Sequence, residues 1–371
     1  MRRVLVSFGF FTMSLFPLAT LADPPGLKPL AIGSPAPDFR LPGVDGNSLG
    51  LSDFSSAKVL VVAFTCNHCP TANAYEERFK KFTDDYKGRG VAFVAISPND
   101  PKAVRLDELG YTDLDDSFAS MKIRAKDHAY NFPYLFDGET QATSRAYGVL
   151  ATPHIFIFDA DRKLRYQGRF DDSEVKTVKS HDAINAVEAL LAGKPVAVET
   201  TRVPGCSTKW ADKQESAREW LAKADAEPVT LETIDEAGIA KLVKNDTKDL
   251  VLINLWATWC GPCVSELPEL VEINRMYRGR AFRLVTLSID EKDKREAAEA
   301  ILSKNHVSAN NYLSLVEGQD KLAEVLDKDW PGPVPYTLLI APGGKVIYRK
   351  SAAIEPLELK RAIVGYLGRT Y

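Results

Sequence analysis

The sequence predicts an α/β protein in which one structural unit occurs twice in tandem. In the first half, a buried-strand pattern at Val59–Phe64 is followed by the pair Cys66 and Cys69, and then by a helical pattern. In the second half, another buried-strand pattern is followed by Cys260 and Cys263, and again by a helix. Because the order of strand, C-x-x-C, helix and strand recurs, we expect two copies of one fold.

The two halves also end in the same way. Thr152-Pro153 precedes a short apolar strand in the first half, and Val334-Pro335 precedes one in the second half. A turn and a further strand follow in each case, and an apolar helical pattern closes each half. The repeat therefore extends beyond the cysteine pairs to the whole unit.

The remaining elements follow from two periodicities. Short apolar runs rich in β-branched residues predict buried strands, and apolar residues at intervals of three and four predict helices. A Gly343-Gly344 pair between two strands predicts a tight hairpin. The predicted strands lie at 59–64, 91–96, 155–158, 164–168, 249–256, 282–287, 337–340 and 346–349, and helices at 183–191, 216–226 and 357–367 add to those after each cysteine pair.

Length and composition agree with two folded domains. The chain has 371 residues, of which 45% are hydrophobic and 26% charged. The formal net charge is −3, so the chain lacks the basic excess that marks nucleic-acid binding. Five cysteines are too few for a disulfide-stapled fold, and four of them form the two C-x-x-C pairs.

The first 22 residues have the layout of a secretory signal. Arg2 and Arg3 precede an apolar stretch, and small residues end at Ala22. The alternative, an uncleaved membrane anchor, fits less well because the stretch contains Pro17 and polar residues. We expect a signal peptide at 1–22 and a soluble, exported, periplasmic mature chain.

The mature chain divides into two domains and a connecting segment. We predict a first domain at 23–195, a linker at 196–227 and a second domain at 228–371. Cys206 and Trp210 are unusual in a flexible spacer, so we expect the linker to be partly structured.

Two segments resemble known families. The motif at 256–263, WATWCGPC, resembles the active-site segment of thioredoxins, and its context at 254–268 resembles the TlpA-like periplasmic thiol–disulfide oxidoreductases. The first half, through 36–39 and 94–98, resembles the redoxin (AhpC/TSA, peroxiredoxin-like) branch of the same fold. The resemblance implies two tandem thioredoxin-like domains, each with a central mixed sheet flanked by helices.

The cysteine pairs are the predicted catalytic groups. A helix N-terminus carries partial positive charge and free N–H groups, which favour a thiolate and lower a cysteine pKa. We predict Cys260 and Cys66 as nucleophiles, and Cys263 and Cys69 as resolving thiols. A zinc site needs four ligands, which the separated pairs do not supply, and a two-residue loop makes a poor structural disulfide.

The resemblance places a proline beside each pair. In the thioredoxin fold this proline is cis, lies against the C-x-x-C motif and presents backbone to a bound peptide. Pro335 after Val334, and Pro153 after Thr152, match that position, whereas an ordinary strand-edge proline is the alternative. We expect these residues, with Trp259, to bind substrate.

Glu266 is a further predicted catalytic residue. It lies three residues after Cys263 and therefore shares its helix face. TlpA-like proteins carry a Glu there that exchanges a proton with the resolving thiol, and Asn254 stands where thioredoxin has a buried Asp. The alternative is a solvated surface Glu.

Three residues are predicted modulators of the first site. His68 lies between Cys66 and Cys69, where an imidazolium stabilises a thiolate and makes the couple more oxidising. His154 would lie near Cys66 as a base, a metal ligand or a hydrogen-bonded wall residue. Cys206 is either a reactive thiol or a buried inert cysteine.

The predicted function is exported thiol–disulfide exchange through both pairs. We expect it to act as a reductase, with an electron relay from Cys260/Cys263 to Cys66/Cys69. The resemblance implies envelope proteins with disulfides as partners, apocytochromes c among them, and a membrane electron donor. No cofactor beyond the redox-active disulfides, no metal and no nucleic acid is expected.

Two other functions remain open for the first domain. Peroxiredoxins carry Thr three residues before the attacking Cys, but Cys66 stands three residues before Cys69, which argues against a thiol peroxidase. Copper binding or delivery by Cys66, Cys69 and a histidine is the other alternative, with a spacing one residue short of the known pattern.

Overall fold

The computed structural model describes residues 26–174 and 177–370, so the predicted signal peptide at 1–22 lies outside the described residues. The strands are β1 (Arg40–Pro42), β2 (Ser48–Gly50), β3 (Val59–Phe64), β4 (Val91–Ser97), β5 (Tyr134–Phe136), β6 (Ala151–Thr152), β7 (His154–Phe158), β8 (Leu164–Gly168), β9 (Cys206–Ser207), β10 (Glu232–Ile234), β11 (Leu250–Trp256), β12 (Phe282–Ser288), β13 (Asn310–Ser314), β14 (Tyr336–Ala341) and β15 (Lys345–Lys350). The helices are α1 (Pro70–Tyr86), α2 (Phe118–Asp127), α3 (Ala142–Tyr147), α4 (Asp182–Leu191), α5 (Gln214–Asp225), α6 (Glu236–Lys244), α7 (Gly261–Tyr277), α8 (Arg295–Lys304), α9 (Gln319–Leu326) and α10 (Pro356–Leu367).

The first half contains a mixed sheet with the strand order β5-β4-β3-β7-β8. Its central strand, β3, is parallel to β4 and antiparallel to β7. All six residues of β3 are buried, because Phe79 and Val187 belong to the core on one face and Phe39 and Tyr147 to the core on the other. A strand covered on both faces explains the unbroken apolar run in the sequence.

The second half repeats this plan in a six-stranded sheet, ordered β10-β13-β12-β11-β14-β15. Here β11 is parallel to β12 and antiparallel to β14. Gly343 and Gly344, both with positive φ, form the predicted turn between β14 and β15. The predicted fold class, two domains with central mixed sheets flanked by helices, is confirmed.

The segment between the sheets is partly ordered, as predicted. β9 pairs with β6 of the first half, Trp210 is fully buried, and α5 follows as a regular helix. Within the described part of the chain, no helix combines the length and apolarity that a bilayer span needs.

The two halves contact each other at the C-terminal end of α7. The Tyr277 hydroxyl donates a hydrogen bond to the Thr112 carbonyl oxygen at 2.7 Å. Nearby, the buried carboxylate of Asp113 accepts from Arg369 at 2.5 Å. The N-terminal end of α7, with its cysteine pair, is therefore the end away from these contacts.

Replacing Tyr277 with Phe removes the hydroxyl that joins α7 to the first half. The Thr112 carbonyl oxygen then loses its buried donor, so we expect the free energy of unfolding to fall by about 1–2 kcal/mol. Urea denaturation of the full chain measures this loss.

Tyr348→Phe is the matched control, because the buried Tyr348 hydroxyl has no hydrogen-bond partner among the described residues. Its removal should change the free energy of unfolding by less than about 0.5 kcal/mol. Equal losses in both variants would contradict a role of the Tyr277 hydroxyl in joining the halves.

Candidate functional site

The second cysteine pair lies where β11 runs into α7. Cys260 and Cys263 form a disulfide, with their Cα atoms 5.3 Å apart. Cys260 is the N-cap of α7, and its sulfur accepts a hydrogen bond from the Cys263 N–H at 3.3 Å. Cys263 is fully buried, whereas Cys260 keeps 5% of its surface exposed. The geometry therefore presents Cys260, the predicted nucleophile, as the outer sulfur.

Three of the predicted substrate-binding residues, Val334, Pro335 and Trp259, belong to the second domain. The Val334–Pro335 peptide bond is cis, as predicted, and Val334 packs against the core that contains both cysteines. Trp259, immediately before Cys260, is 68% exposed. An indole with so much accessible surface beside a disulfide offers an apolar contact to a protein client.

Glu266 is buried rather than solvated. Its carboxylate accepts hydrogen bonds from Asn254 Nδ2 and from the Ile354 backbone N–H, both at 2.8 Å. Burial raises the pKa of Glu266, although these two hydrogen bonds oppose the rise. A buried carboxyl with a raised pKa on the helix face of Cys263 is suited to hold and release a proton.

The first pair has a different relation to its helix. α1 begins at Pro70, directly after Cys69, so that Cys69 and not Cys66 is the N-cap. Proline at the first helical position is favourable because its missing N–H has no intrahelical partner there. The Cys69 side chain makes no capping hydrogen bond, whereas the Cys260 sulfur accepts one from the Cys263 N–H.

Strand register places the two N-cap cysteines at the same point of the fold. Phe64 pairs with His154 and Leu255 pairs with Tyr336, and each of these partners directly follows a cis proline. Five residues after Phe64 comes Cys69, and five residues after Leu255 comes Cys260. The C-x-x-C spacing predicts that the first cysteines of the two pairs, Cys66 and Cys260, occupy equivalent positions. In the structure, Cys69 occupies the position equivalent to Cys260.

The electrostatics of the first site also favour Cys69 as the thiolate. Burial opposes ionisation of Cys69. The neighbouring groups oppose burial and hold the pKa of Cys69 well below its usual value: they are the thiols of Cys206 and Cys66, the charge of His68 and the nearby Ala72 N–H. Burial, together with the hydrogen bond to Cys69, raises the pKa of Cys66 well above its usual value. The predicted assignment of Cys66 as nucleophile is therefore opposed by its surroundings.

His68 is held by a buried carboxylate. His68 Nδ1 lies 2.6 Å from Asp116 Oδ2, and Asp116 also accepts hydrogen bonds from the backbone N–H groups of Asn67 and His68 and from Asn99 Nδ2. Burial alone would lower the pKa of His68, but the charge and hydrogen bond of Asp116 raise it. An imidazolium beside a thiolate stabilises it, and the role of His68 as a modulator stays a prediction.

Thr152 touches both sulfurs of the first pair. The Thr152–Pro153 bond is cis, as predicted. Thr152 Oγ1 lies 3.0 Å from Cys66 Sγ, and the Thr152 carbonyl oxygen lies 3.3 Å from Cys69 Sγ. Because the Thr152 carbonyl oxygen accepts from the Cys69 thiol, it favours the protonated form. The groups that lower the pKa of Cys69 outnumber this one acceptor.

Cys206 also contacts Cys69. Its backbone N–H donates to Cys69 Sγ at 3.3 Å, and β9 brings it opposite Thr152. The hydrogen bond to Cys69, together with burial, holds the pKa of Cys206 well above its usual value. The sequence alone does not distinguish a Cys206 that contacts this site from a Cys206 that is buried elsewhere.

His154 differs from His68. It is fully buried, and burial lowers its pKa to about 3, so the imidazole is neutral at physiological pH. Its Nδ1 accepts from the Leu150 backbone N–H at 3.5 Å, and its ring lies 4.2 Å from that of Phe156. These contacts fit a wall residue better than a base or a ligand.

Three residues of the first site could offer atoms to a metal. Cys66, His68 and Asp116 each place one ligand atom within 4.8 Å of the others. Three ligands are one short of a closed tetrahedral zinc site, and Asp116 already accepts four hydrogen bonds. The arrangement is better suited to an ion pair than to a resident metal.

The sequence matches two protein families: the AhpC/TSA family over residues 32–167 and Redoxin over residues 222–362. A thiol-disulfide oxidoreductase ResA from Bacillus thuringiensis (strain Al Hakam) is 33% identical over 129 residues, which covers 33% of this chain and 67% of that protein. A thioredoxin from Listeria monocytogenes is 34% identical over 70 residues, covering 19% of this chain and 67% of that protein. The crystal structure of a hypothetical protein from Sinorhizobium meliloti 1021 is 38% identical, covers 50% of this chain and 97% of its own, and has a TM-score of 0.44.

Replacing His68 with Gln removes the positive charge beside Cys69. We expect the lowest thiol pKa of the first site to rise by about one unit or more. The measurement is the ultraviolet absorbance of the thiolate as a function of pH, in the reduced full chain carrying Cys260→Ser and Cys263→Ser.

His154→Gln is the matched control, because a histidine with a pKa of about 3 carries no charge in that titration. Its thiolate midpoint should coincide with that of the parent chain. Unchanged midpoints in both variants would exclude His68 as a modulator.

Proposed function

This chain belongs to the thioredoxin-fold thiol–disulfide oxidoreductases, and we propose that it reduces disulfides of other exported proteins through Cys260 and Cys263. The observation that carries the proposal is the pair at the start of α7, with Cys260 as the outer, capping sulfur. The exposed indole of Trp259 supports a protein as the substrate, because it offers apolar contact next to the reacting sulfur.

The proposed reaction proceeds by two exchanges. In the reduced enzyme, the Cys260 thiolate attacks one sulfur of a client disulfide, and the other client sulfur leaves as a thiol after taking a proton. Cys263 then loses its proton and attacks Cys260 Sγ, which releases the reduced client and leaves the Cys260–Cys263 disulfide. The helix N-terminus favours the Cys260 thiolate that starts the cycle.

We propose that Glu266 accepts the proton that Cys263 loses. The raised pKa of this buried carboxyl lets it hold a proton in one half of the cycle and accept one in the other. Asn254 and the Ile354 N–H fix the carboxylate in place, so that it faces the same side of the helix as Cys263.

The proposal includes export and outside partners. The signal-like residues 1–22 support secretion, and an intact mass that begins at Asp23 would verify cleavage. The proposed clients are envelope proteins with disulfides, including apocytochromes c. The two electrons of each cycle come from a membrane electron donor, because the chain has no apparent nucleotide-binding motif.

We also propose that the two sites differ in reduction potential. His68 and the hydrogen bonds on Cys69 stabilise the reduced first pair, which makes that couple the more oxidising one. The first half contacts α7 near Tyr277, about 20 Å along the helix from Cys263. Transfer from Cys260/Cys263 to Cys66/Cys69 is therefore proposed to follow domain movement or to occur between molecules.

The reductase proposal is tested by following the reduction of insulin with dithiothreitol as the donor. Cys260→Ser/Cys263→Ser should lose the catalysed rate, by about 100-fold or more. Ser265→Ala, an exposed position on the same helix, should keep it. A double-serine variant with an undiminished rate would assign the activity elsewhere.

In the same assay, Glu266→Gln should lower kcat by about tenfold or more and remove a step from its pH profile, because Gln cannot exchange the proton. Glu269→Gln, an exposed acid on the same helix, is the matched control. Equal profiles for both variants would leave Glu266 with a structural role only.

The relay is tested by measuring the reduction potential of each cysteine pair in the full chain, with both cysteines of the other pair replaced by serine. We expect the first pair to be more oxidising by about 30 mV or more, which corresponds to tenfold in equilibrium. Equal potentials, or the reverse order, would exclude transfer in the proposed direction.

A further inference from the structure

The segment that contains Cys206 lies on the first domain as a bound strand would. β9 pairs antiparallel with β6, so that Cys206 lies opposite Thr152 and Ser207 opposite Ala151. Thr152 is the residue before cis-Pro153, at the edge predicted to present backbone to a bound peptide. The chain therefore fills this edge of its own first domain.

The fit of this segment is specific on both sides of Cys206. Gly205 has φ +100°, and a Cβ there would lie 1.9 Å from the Thr152 carbonyl oxygen, so only glycine fits. After Cys206, the Thr208 N–H donates to the Leu150 carbonyl oxygen at 3.2 Å, and Trp210 is fully buried. These contacts hold the segment on the first domain, and Gly205 allows its close approach to Thr152.

This docking places a third sulfur against the first pair. Cys206 packs against the buried cluster of Cys66, Cys69 and Ala72, and its backbone N–H donates to Cys69 Sγ at 3.3 Å. Cys66 is 2% exposed and Cys69 is fully buried, whereas Cys206 is only partly buried. Cys206 is thus the sulfur of the three that solvent and other molecules reach most easily.

We propose that Cys206 is the internal exchange partner of Cys69, standing where the cysteine of a client would stand. The inference rests on the proposed thiol–disulfide exchange activity. In the oxidised domain, Cys206 loses its proton and attacks Cys69 Sγ. The Cys66–Cys69 bond breaks as the Cys69–Cys206 bond forms, and Cys66 leaves as a thiolate that takes up a proton.

One disulfide replaces another in this step, so no outside oxidant or reductant is consumed. The disulfide moves from two buried sulfurs to a pair with one partly exposed member. An external thiol then attacks Cys206, and not the enclosed Cys69. The substrates of the first site are therefore thiols and disulfides that reach Cys206. An extended peptide cannot pair with β6 while β9 occupies that edge.

The test maps the disulfide in the full chain carrying Cys260→Ser and Cys263→Ser. The reduced protein is oxidised with diamide, free thiols are alkylated, and trypsin is applied without reductant. Cys66 and Cys69 then lie on peptide 59–78, and Cys206 lies on peptide 203–209. We expect a cross-linked pair of these peptides, which persists within one molecule when Cys66→Ser is added and disappears with Cys206→Ser.

Glycine variants test whether the docked strand is responsible. Gly205→Ala should lower the yield of the cross-linked pair about tenfold relative to the disulfide inside 59–78, because the side chain cannot fit and the φ is unfavourable. Gly193→Ala is the matched control, since Gly193 also has positive φ but nothing lies within 4 Å of an added Cβ. Thermal unfolding of each variant verifies that it folds.

The proposal would be overturned if the parent chain forms a disulfide only within 59–78 and Cys206 is fully alkylated in both the parent and the Cys66→Ser chain, which would make Cys206 an inert cysteine. Equal yields in the two glycine variants would also overturn it. The mapping does not use Cys260 or Cys263, so a failure of insulin reduction and a failure of this proposal are distinguishable.

Discussion

A cysteine sulfur at the N-cap of a helix is the feature on which both sites depend. The N-cap positions place Cys260 at the start of α7 and Cys69 at the start of α1, at equivalent points of the two sheets. The helix N-terminus then provides partial positive charge for whichever sulfur occupies the cap. The partner sulfur differs, because Cys263 follows its cap inside the helix and Cys66 precedes its cap in the loop.

Most of the fold was accessible from the sequence because its signals are local. The unbroken apolar runs predicted β3 and β11, the paired glycines predicted the turn between β14 and β15, and the resemblance to the thioredoxin fold implied both cis bonds. The start of α7 followed from its motif. The start of α1 was also signalled, by Pro70 directly after Cys69, but the shared C-x-x-C spacing outweighed that signal and misaligned the first pair.

The rest of the first site could not be predicted, because it is assembled from distant parts of the chain. Asp116 lies 48 residues from His68 in sequence, yet it sets the charge of that imidazole. Cys206 lies 137 residues from Cys69 and reaches it only because β9 pairs with β6. A short two-residue strand in a Pro- and Thr-rich segment has no periodicity to reveal it.

The contact between the halves near Tyr277 has a consequence for how a client is passed on. In the proposed reaction, a client at Trp259 lies at the opposite end of α7 from that contact, so it need not displace the first domain to bind. The first domain remains tethered to the second, and if the contact opens, its thiols have an effective concentration of about millimolar at Cys260. The proposed mixed disulfide at Cys260 then meets a second set of thiols at a concentration that is set by the length of the chain and is independent of how much protein the compartment holds.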